Sequence, residues 1–382
     1  MEEKRKCPRC LNEDPAWFYH GRKGWYCRKC ISFGRIMLEE ENEPETSVSI
    51  SDHADEYTLK YPFTNAQKAV AAQCLKEIEN KDVLIHAVTG AGKTELVLPA
   101  ISEYLRQGKR VCFAIARRQV VLEVAERLQG YFTNASVIAV CGGHTSVTEG
   151  DLIVCTTHQL YRYHDIDLLI LDEPDAFPFK GNDVLKSIAH TACSGHTINL
   201  TATPDEEMME RVSQGSFVEL KLDKRPHGKP IPVPEIKILP GIFMFIALCI
   251  WIRKHENHPR MIFVPSIAMA YQLGGILRLF FKVSVCTSHE ENRDQIIEQF
   301  RKQGNGIIIA TTVLERGVTI PHADICIYHA ENRVFDKAGL IQMAGRAGRD
   351  FHDPYGDVLF LCNEKSLMCE ECVRELEEAN ES

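Results

Sequence analysis

The chain has 382 residues, of which 45% are hydrophobic and 25% are charged, and its formal net charge is -9. A length of this order suits about two to three domains, and the composition does not suggest a fibrous, disordered or membrane-spanning chain. The longest apolar run, residues 241–252, is shorter than the roughly 20 residues that a helix needs to span a bilayer.

The N-terminus shows no apolar stretch of the kind that directs secretion. We therefore expect a cytoplasmic protein, in which the fifteen cysteines remain thiols that bind metal or fill small apolar spaces. Charge is unevenly distributed: residues 1–35 contain nine Lys or Arg and four acids, whereas residues 36–60 contain one Lys and eight acids. The negative total consequently does not exclude binding of a polyanion in a local basic region.

Two cysteine pairs lie near the start of the chain. Cys7 and Cys10 form one Cys-x-x-Cys pair, Cys27 and Cys30 form the other, and sixteen residues separate the pairs. This spacing is typical of a zinc ribbon, and four thiolates that leave no open position indicate structural rather than catalytic zinc. Zinc is favoured over iron at such a site, and a head this small has too little core to fold without a metal.

Aromatic and basic side chains are interleaved in the same segment. Three roles stay open for them: stacking on nucleic-acid bases, docking of a protein partner, and packing in the small core of the module. The side chains concerned are Trp17, Phe18, Tyr19, Arg22, Lys23, Trp25, Tyr26 and Arg28.

Short apolar runs alternate with amphipathic stretches from Lys81 onwards. The first set reads VLIHAV, VCFAIA, LIVC, DLLILD and TINLT, and the second reads MIFVP, VSVC, GIIIAT, ADICIYH and DVLFLC. This alternation predicts an α/β fold with two mostly parallel sheets flanked by helices. The apolar run at 241–252 favours a buried helix over a membrane or partner contact.

The predicted domain boundaries follow changes in composition. An acidic segment with few large apolar residues precedes the first sheet, and a proline-rich segment lies between the two sets of strands, so both are expected to be linkers. The expected organisation is a zinc-binding module at 1–35, an acidic linker at 36–60, a first α/β domain at 61–223, a linker at 224–235 and a second α/β domain at 236–382.

A glycine-rich loop follows the first apolar run. Residues 87–94 read AVTGAGKT and lead into a helix, which is the context of a phosphate-binding loop. Small residues let backbone N–H groups approach the phosphates of ATP, while Lys93 neutralises their charge and Thr94 ligates magnesium. The candidate residues of this ATP site are Thr89, Gly90, Ala91, Gly92, Lys93 and Thr94.

Two adjacent carboxylates, Asp172 and Glu173, follow the apolar run IDLLIL. Ligands bind outside the carboxyl ends of the strands in parallel sheets of this kind. We assign Asp172 to the magnesium ion and Glu173 to the attacking water, which it positions and deprotonates. The alternative is an acidic surface turn.

The second set of strands lacks a phosphate loop, but the string QMAGRAGR at 342–349 lies near its end. Arg346 and Arg349 are spaced to share one helical face, from which both can reach the γ-phosphate of ATP. Hydrolysis would then need both domains. Taken alone, the motif also fits a basic helix that contacts another partner.

Together these motifs resemble those of superfamily 2 helicases, which implies two tandem RecA-like domains. The string FTNAQ at 63–67 is similar to the adenine-reading Q motif, with Gln67 as the base contact. TAT at 201–203 matches the segment that links hydrolysis to domain movement. TTVLERGVT at 311–319 is similar to a motif that touches both nucleotide and nucleic acid.

The same resemblance implies further contacts. Gly317 and Gln342 would bind nucleotide. Contacts to the nucleic-acid backbone would come from Arg117, Thr156, Thr157, Ser266, Thr311 and Thr312. Single Thr, Ser and Arg residues at strand ends also serve as helix caps or solvated side chains, so both roles stay open for this second set.

The combination of motifs narrows the resemblance to one family. A four-cysteine module followed by FTNAQ, AVTGAGKT, DEPDAFPF and QMAGRAGR resembles the ComFA-type DNA-uptake ATPases of naturally competent bacteria, over almost the whole chain. RNA helicases of the DEAD class typically carry Ala at the position of Pro174 and a His-Arg opening at Gln342. Primosomal replication-restart helicases place paired zinc sites within the second domain of a longer chain.

The resemblance implies a single-stranded DNA translocase that uses ATP, Mg²⁺ and Zn²⁺ and pulls incoming DNA into the cytosol. Implied partners are the membrane DNA-uptake channel and other competence proteins, with the protein peripheral at the inner face of the membrane. Two rivals stay open: a repair or replication-restart helicase, and an ATP-gated DNA-binding scaffold with slow turnover. Homo-oligomer formation, the direction of movement and the preference for DNA over RNA also stay open.

Overall fold

The computed structural model describes residues 5–38, 51–290, 292–314, 320–349 and 354–381. The chain divides into two compact units, which are described separately below. The first unit contains Met1–Ala87 and Lys93–Leu222, and the second contains Val88–Gly92 and Asp223–Ser382.

A small hairpin module begins the first unit. Its strands β1 (Phe18–Gly21) and β2 (Gly24–Cys27) pair antiparallel. Short 3-10 turns precede and follow the hairpin at Pro15–Trp17 and Ile31–Phe33. The buried core of the module consists of four cysteines rather than of large apolar side chains.

A parallel sheet forms the body of the first unit. Its strands are β3 (Asp82–Ala87), β4 (Val111–Ile115), β5 (Val137–Val140), β6 (Leu152–Thr156), β7 (Ile166–Asp172), β8 (Cys193–Thr201) and β9 (Phe217–Leu222). They lie in the order β5-β6-β4-β7-β8-β3-β9, and these neighbours pair in parallel. Every residue of β4 and β6 is buried, as expected for a parallel sheet covered on both faces.

Helices flank this sheet: α1 (Asn65–Glu77), α2 (Lys93–Leu96), α3 (Leu98–Arg106), α4 (Arg118–Tyr131), α5 (Asp183–Ala192) and α6 (Glu206–Ser213). Side-chain caps fix where two of them begin. Asn182 Oδ1 accepts a hydrogen bond from Leu185 N at 3.1 Å at the start of α5. Asp205 Oδ1 accepts one from Met208 N at 2.9 Å at the start of α6. Both bonds satisfy N–H groups that lack a partner within the helix.

The second unit repeats the design. Its strands are β10 (Glu235–Ile238), β11 (Pro259–Phe263), β12 (Val283–Cys286), β13 (Gly306–Ala310), β14 (Asp324–Tyr328) and β15 (Val358–Cys362). They lie in the order β10-β15-β14-β11-β13-β12, with parallel pairing throughout. Its helices are α7 (Ile242–Lys254), α8 (Ile267–Leu277), α9 (Arg293–Gln303), α10 (Lys337–Ala344) and α11 (Leu367–Glu381). Helices α7 and α8 pack on one face of the sheet, and α9, α10 and α11 pack on the other.

The apolar run at 241–252 forms helix α7, which is buried along one face only. The buried side chains are Met244, Leu248, Trp251 and Ile252. The opposite face is exposed, by 46 to 64%, at Ile242, Phe243, Ile246 and Ile250. The expectation of a buried helix is therefore right for half of its surface. Among the described residues, no helix is long and apolar enough to cross a membrane.

The predicted fold class is confirmed: two parallel sheets flanked by helices follow a four-cysteine module. Both sheets present the carboxyl ends of their strands along one edge, because all their strands run the same way. The loops that carry candidate functional residues leave from these edges.

Candidate nucleotide and nucleic-acid site

The glycine-rich loop lies at the carboxyl end of β3. Gly90 and Gly92 have φ angles of 81° and 83°, a left-handed conformation that residues with a Cβ rarely adopt. The Lys93 Nζ atom is buried without a hydrogen-bond partner among the described residues, and so is Thr89 Oγ1. Buried polar groups normally have partners. Two orphaned polar atoms in this loop fit the phosphates of a bound nucleotide.

The predicted carboxylates lie at the end of β7. Asp172 is its last residue, and Glu173 follows with a φ angle of 52°, which is unusual for a residue with a side chain. The Glu173 N–H donates to Leu200 O at 2.8 Å and helps to hold this conformation. Strand β8 separates β7 from β3, so the two predicted motifs leave strands about 10 Å apart on the same sheet edge.

Asp175 makes a buried network with the TAT segment at the end of β8. Thr201 Oγ1 donates to Asp175 Oδ1 at 2.5 Å, and Thr203 Oγ1 donates to Asp175 Oδ2 at 2.8 Å. Thr201 Oγ1 also accepts from Thr203 N at 2.9 Å. Asp175 is 3% exposed, so both carboxylate oxygens bind protein groups away from solvent. The sequence indicated both segments but not this contact, which depends on the pairing of β7 with β8.

Gln67 has a structural role in addition to the one predicted for it. It is the third residue of α1, where its Oε1 accepts from Thr64 N at 3.0 Å and Thr64 Oγ1 accepts from Gln67 N at 3.2 Å. This reciprocal pair is a capping box, which fixes the start of the helix. The residue is 5% exposed. The FTNAQ string is therefore also the start signal of α1.

Residues predicted to grip nucleic acid in the first unit follow β4 and β6. Arg117 immediately precedes α4 and is half-buried. Thr156 and Thr157 are 8% and 2% exposed, and Thr157 Oγ1 is buried with no partner in the described part of the chain. The next residue, His158, is exposed. His158 is thus accessible to nucleic acid, although it is not among the candidate contacts expected from the sequence.

The candidates of the second unit occupy corresponding strand ends. Ser266 follows β11, and its Oγ accepts from Met269 N at 3.2 Å as the cap of α8. Thr311 and Thr312 directly follow β13 and are half-buried. Gly317, expected to bind nucleotide, lies outside the described residues. Ser266 therefore serves as a helix cap, which was one of the two roles left open for it by the sequence.

Gln342, Arg346 and Arg349 lie at and just beyond the end of α10. The expectation that both arginines share a helical face is wrong, because α10 ends at Ala344 and the turn that follows contains Gly348 at a φ of 62°. Gln342 is 2% exposed, and its Nε2 is buried without a partner in the residues that the structure describes. Arg346 is 3% exposed, and Arg349 Nε donates to a carbonyl oxygen of the turn at 2.9 Å.

Sequence reasoning missed Arg225, which it placed in a linker. Its Nη1 donates to Ala347 O at 2.8 Å and to Gly348 O at 2.7 Å, and its Nη2 donates to Gly345 O at 2.9 Å. Burial, with a smaller contribution from Arg349, lowers the pKa of Arg225 to about 9. This guanidinium therefore holds the turn that carries both predicted arginines. An arginine in the string KRPHGKP shows no pattern that could have marked it.

The four predicted metal ligands converge. The Sγ atoms of Cys7, Cys10, Cys27 and Cys30 lie within 4.8 Å of one another, with two pairs at 3.7 Å. Thiolates in a tetrahedral zinc site are about 3.8 Å apart, so the cluster fits zinc. Hydrogen bonds with Cys10 and Cys30 lower the pKa of Cys7, whereas hydrogen bonds with Cys10 and Cys7 raise the pKa of Cys30. The fit to zinc therefore rests on the geometry of the four Sγ atoms.

Comparison with known proteins identifies the family. Residues 64–212 match the model of the DEAD/DEAH box helicases, and residues 243–350 match the helicase conserved C-terminal domain. Competence protein ComFA of Bacillus subtilis (strain 168) is 32% identical over 100% of this chain and 86% of its own. The chain belongs to the ComFA family. ComFA of Streptococcus pneumoniae is also 32% identical, over 99% of this chain and 91% of its own.

Solved structures show the same fold. Dbp5 of S. cerevisiae, bound to RNA and ADP BeF3, matches with a TM-score of 0.66 at 16% identity over 84% of this chain and 88% of its own. The helicase Lhr of Mycobacterium smegmatis, bound to ssDNA and AMP-PNP, matches with a TM-score of 0.64 at 17% identity over 83% of this chain and 48% of its own. This ComFA family member is an ATP-dependent superfamily 2 enzyme of the helicase type with two RecA-like domains.

Proposed function

We propose that this protein is an ATP-driven translocase on single-stranded DNA that draws transforming DNA into the cell during natural competence. The observation that carries the proposal is the likeness to ComFA, a competence protein, across the whole chain. The Lhr structure with ssDNA and the Dbp5 structure with RNA share this fold, so the choice of DNA rests on the likeness to ComFA. Sequence-independent movement suits contacts to the phosphate backbone rather than to base edges.

The proposed chemistry is hydrolysis of ATP at the carboxyl edge of the first sheet. Lys93 holds the β- and γ-phosphates, and Asp172 and Thr94 hold magnesium. Glu173 accepts a proton from the water that attacks the γ-phosphorus, while the bond to the bridging oxygen of ADP breaks. The phosphates are bound by the backbone of Thr89, Gly90, Ala91 and Gly92. Other contacts to the nucleotide come from Gln67, Gly317 and Gln342. The charge on the γ-phosphate is stabilised by Arg346 and Arg349.

The network of Asp175 supports a route from hydrolysis to movement. Asp175 follows Glu173 closely in the chain and binds the hydroxyls of Thr201 and Thr203. A shift of the β7 loop on loss of the γ-phosphate therefore alters the end of β8 through two short hydrogen bonds. The contacts to DNA in this proposal are those of Arg117, Thr156, Thr157, Ser266, Thr311 and Thr312.

The proposed partners are the DNA-uptake channel of the membrane and other competence proteins, with the protein peripheral at the inner face of the membrane and in the cytoplasm. We further propose that the domain boundaries are those expected from composition, at 1–35, 36–60, 61–223, 224–235 and 236–382. The likeness to ComFA supports the partners, because it spans nearly the whole of that protein.

The decisive experiment measures ATP hydrolysis by the full chain with single-stranded DNA, duplex DNA and RNA at one stated salt concentration. We expect the largest stimulation with single-stranded DNA. Equal rates with and without nucleic acid would refute the motor and favour an ATP-gated scaffold. A second assay compares stripping of a protein from single-stranded DNA with opening of a forked duplex. Efficient opening without stripping would instead favour a repair or restart helicase.

A further inference from the structure

The four-cysteine module is packed against the rest of the first unit through its second 3-10 turn. This turn, Ile31–Phe33, begins at the metal ligand Cys30, and Phe33 N–H donates to Cys30 O at 3.1 Å. Arg9, between the first two ligands, donates from Nη1 to Gly34 O at 2.8 Å. The backbone before and after Phe33 is therefore held by Cys30, from the second cysteine pair, and by Arg9, which lies within the first pair.

Phe33 contacts the turn Thr157–Arg162 of the first unit. Its ring stacks on His158 at a centroid distance of 6.0 Å and an interplanar angle of 26°. It also meets Tyr161 at 5.7 Å and 58°. The ring packs against the buried core of the first unit as well as against the four cysteines. One side chain thus joins the four-cysteine cluster to this turn.

Further contacts fix the module in the same place. The Arg9 guanidinium lies 5.3 Å from the Tyr161 ring centroid, and Arg9 O accepts from Thr191 Oγ1 at 3.0 Å on α5. Val184, also on α5, packs against the four cysteines. The module is therefore attached to the turn and to α5, at points separated along the chain.

The attached turn begins at Thr157, directly after β6. It contains one residue to which the proposed function gives a nucleic-acid contact, and the exposed His158 beside it. We propose that Phe33 is a positioning residue for this turn, through which the four-cysteine module sets the affinity for single-stranded DNA. The inference rests on the proposed function for the role of the turn.

The test is the replacement Phe33→Ala in the full chain, with ATP hydrolysis titrated against oligodeoxythymidine. Loss of the ring contacts should raise the DNA concentration at half-maximal stimulation by about three- to ten-fold, the range expected for aromatic pairs. The maximal rate, the rate without DNA and the zinc content should not change. Phe33→Tyr keeps the ring and should restore the half-maximal concentration.

Two matched variants guard the interpretation. Tyr161→Ala removes the same contact from the side of the turn and should reproduce the effect with zinc retained. It therefore tests the inference even if Phe33→Ala loses zinc. Trp17→Ala removes an aromatic ring that is 44% exposed on the module and should leave the half-maximal concentration unchanged. An equal effect of Trp17→Ala would overturn the inference in favour of direct DNA contact by the module.

Hydrogen exchange separates this inference from the proposed function. The amide of Tyr163, directly after the turn, donates to Leu160 O at 3.0 Å. Phe33→Ala should speed the exchange of this amide, whereas Trp17→Ala should not. Unchanged exchange together with an unchanged half-maximal concentration would overturn the role of Phe33. Absence of any stimulation of the unmodified protein by DNA would sink the proposed function, while the exchange result would still decide whether Phe33 holds the turn.

Discussion

At the scale of single residues, Glu173 shows how backbone conformation and chemistry meet. Its φ angle of 52° is held in part by the hydrogen bond to the carbonyl of Leu200, and such strain is typical of functional positions. The positive φ turns the chain immediately after Asp172. A carboxylate is therefore placed at the strand end, where the proposed attacking water would lie.

Replacement Glu173→Gln should retain ATP binding and block its cleavage, because an amide of the same shape cannot accept the proton of the water. We expect the turnover rate to fall by about 10²- to 10⁴-fold, the range of general-base contributions. Single-turnover hydrolysis and binding of a fluorescent ATP analogue measure the two effects. The exposed Glu206 offers a control, since Glu206→Gln should change neither. Undiminished cleavage in Glu173→Gln would refute its assignment.

Arg225 has a role that depends wholly on tertiary structure. Three of its hydrogen bonds go to carbonyl oxygens in the turn after α10, and its side chain is 2% exposed. A planar guanidinium can reach several carbonyls at once, which an ammonium group cannot do. Arg346 and Arg349 lie in or next to this turn, so the hydrogen bonds of Arg225 hold the backbone that positions them.

Replacement Arg225→Met should lower the free energy of unfolding by about 2–4 kcal/mol, because it leaves buried carbonyl oxygens without donors. Arg225→Lys should recover only part of this loss. Urea denaturation followed by circular dichroism measures the effect, and the exposed neighbour Lys224 supplies the control Lys224→Met. Equal stability of Arg225→Met and Lys224→Met would show that these hydrogen bonds do not hold the turn.

The places of the motifs in the fold could be predicted because their chemistry fixes both residue type and spacing, whereas the roles of their residues stay predictions. Lys93 begins α2 directly after the loop that follows β3, and Asp172 ends β7, so both lie at the same edge of one sheet. The partner of Asp175 and the role of Arg225 could not be predicted, because neither depends on neighbours in the sequence. The capping role of Gln67 was visible in the Thr-x-x-Gln spacing, but the resemblance to a nucleotide-binding motif drew attention away from it.

At the scale of elements, helices α7 and α10 show what periodicity leaves undetermined. An apolar run that continues around a helix carries no period to indicate which face is buried, so the sequence predicted burial of α7 as a whole. For α10 the spacing of the two arginines indicated a continuing helix. The glycines at 345 and 348 were the competing signal, and the structure shows a turn there.

The cysteine module is the element with the least apolar core. Cys27→Ser should abolish metal binding and unfold the hairpin β1–β2, because three thiolates leave the site open and the remaining core is too small. Elemental analysis should then show zinc falling from about one ion per chain to almost none. Cys249→Ser, in α7 and remote in sequence from the four ligands, should retain zinc. Normal zinc content in Cys27→Ser would contradict the ribbon.

At the scale of the whole molecule, alternating apolar runs predicted two parallel α/β sheets. Strand order was not predictable in this way. In the first unit β8 pairs with β3, and in the second β15 pairs with β10, although the two strands of each pair are far apart in the chain. Such pairings depend on the packing of the helices that connect them, and no local pattern encodes them.

Hydrolysis in this proposal depends on residues from both units, since Lys93 and Glu173 belong to the first and Arg349 to the second. Arg349→Ala should keep nucleotide binding nearly unchanged and slow hydrolysis by about 10³-fold, because a finger arginine acts mainly on the charge of the transition state. Arg349→Lys should remain slow, since the ammonium lacks the fork of donors. The exposed Arg333 supplies the control Arg333→Ala, which should hydrolyse ATP normally. Equal hydrolysis by Arg349→Ala and Arg333→Ala would mean that the second unit contributes no charge to the reaction, and the motor would need another reason for its second sheet.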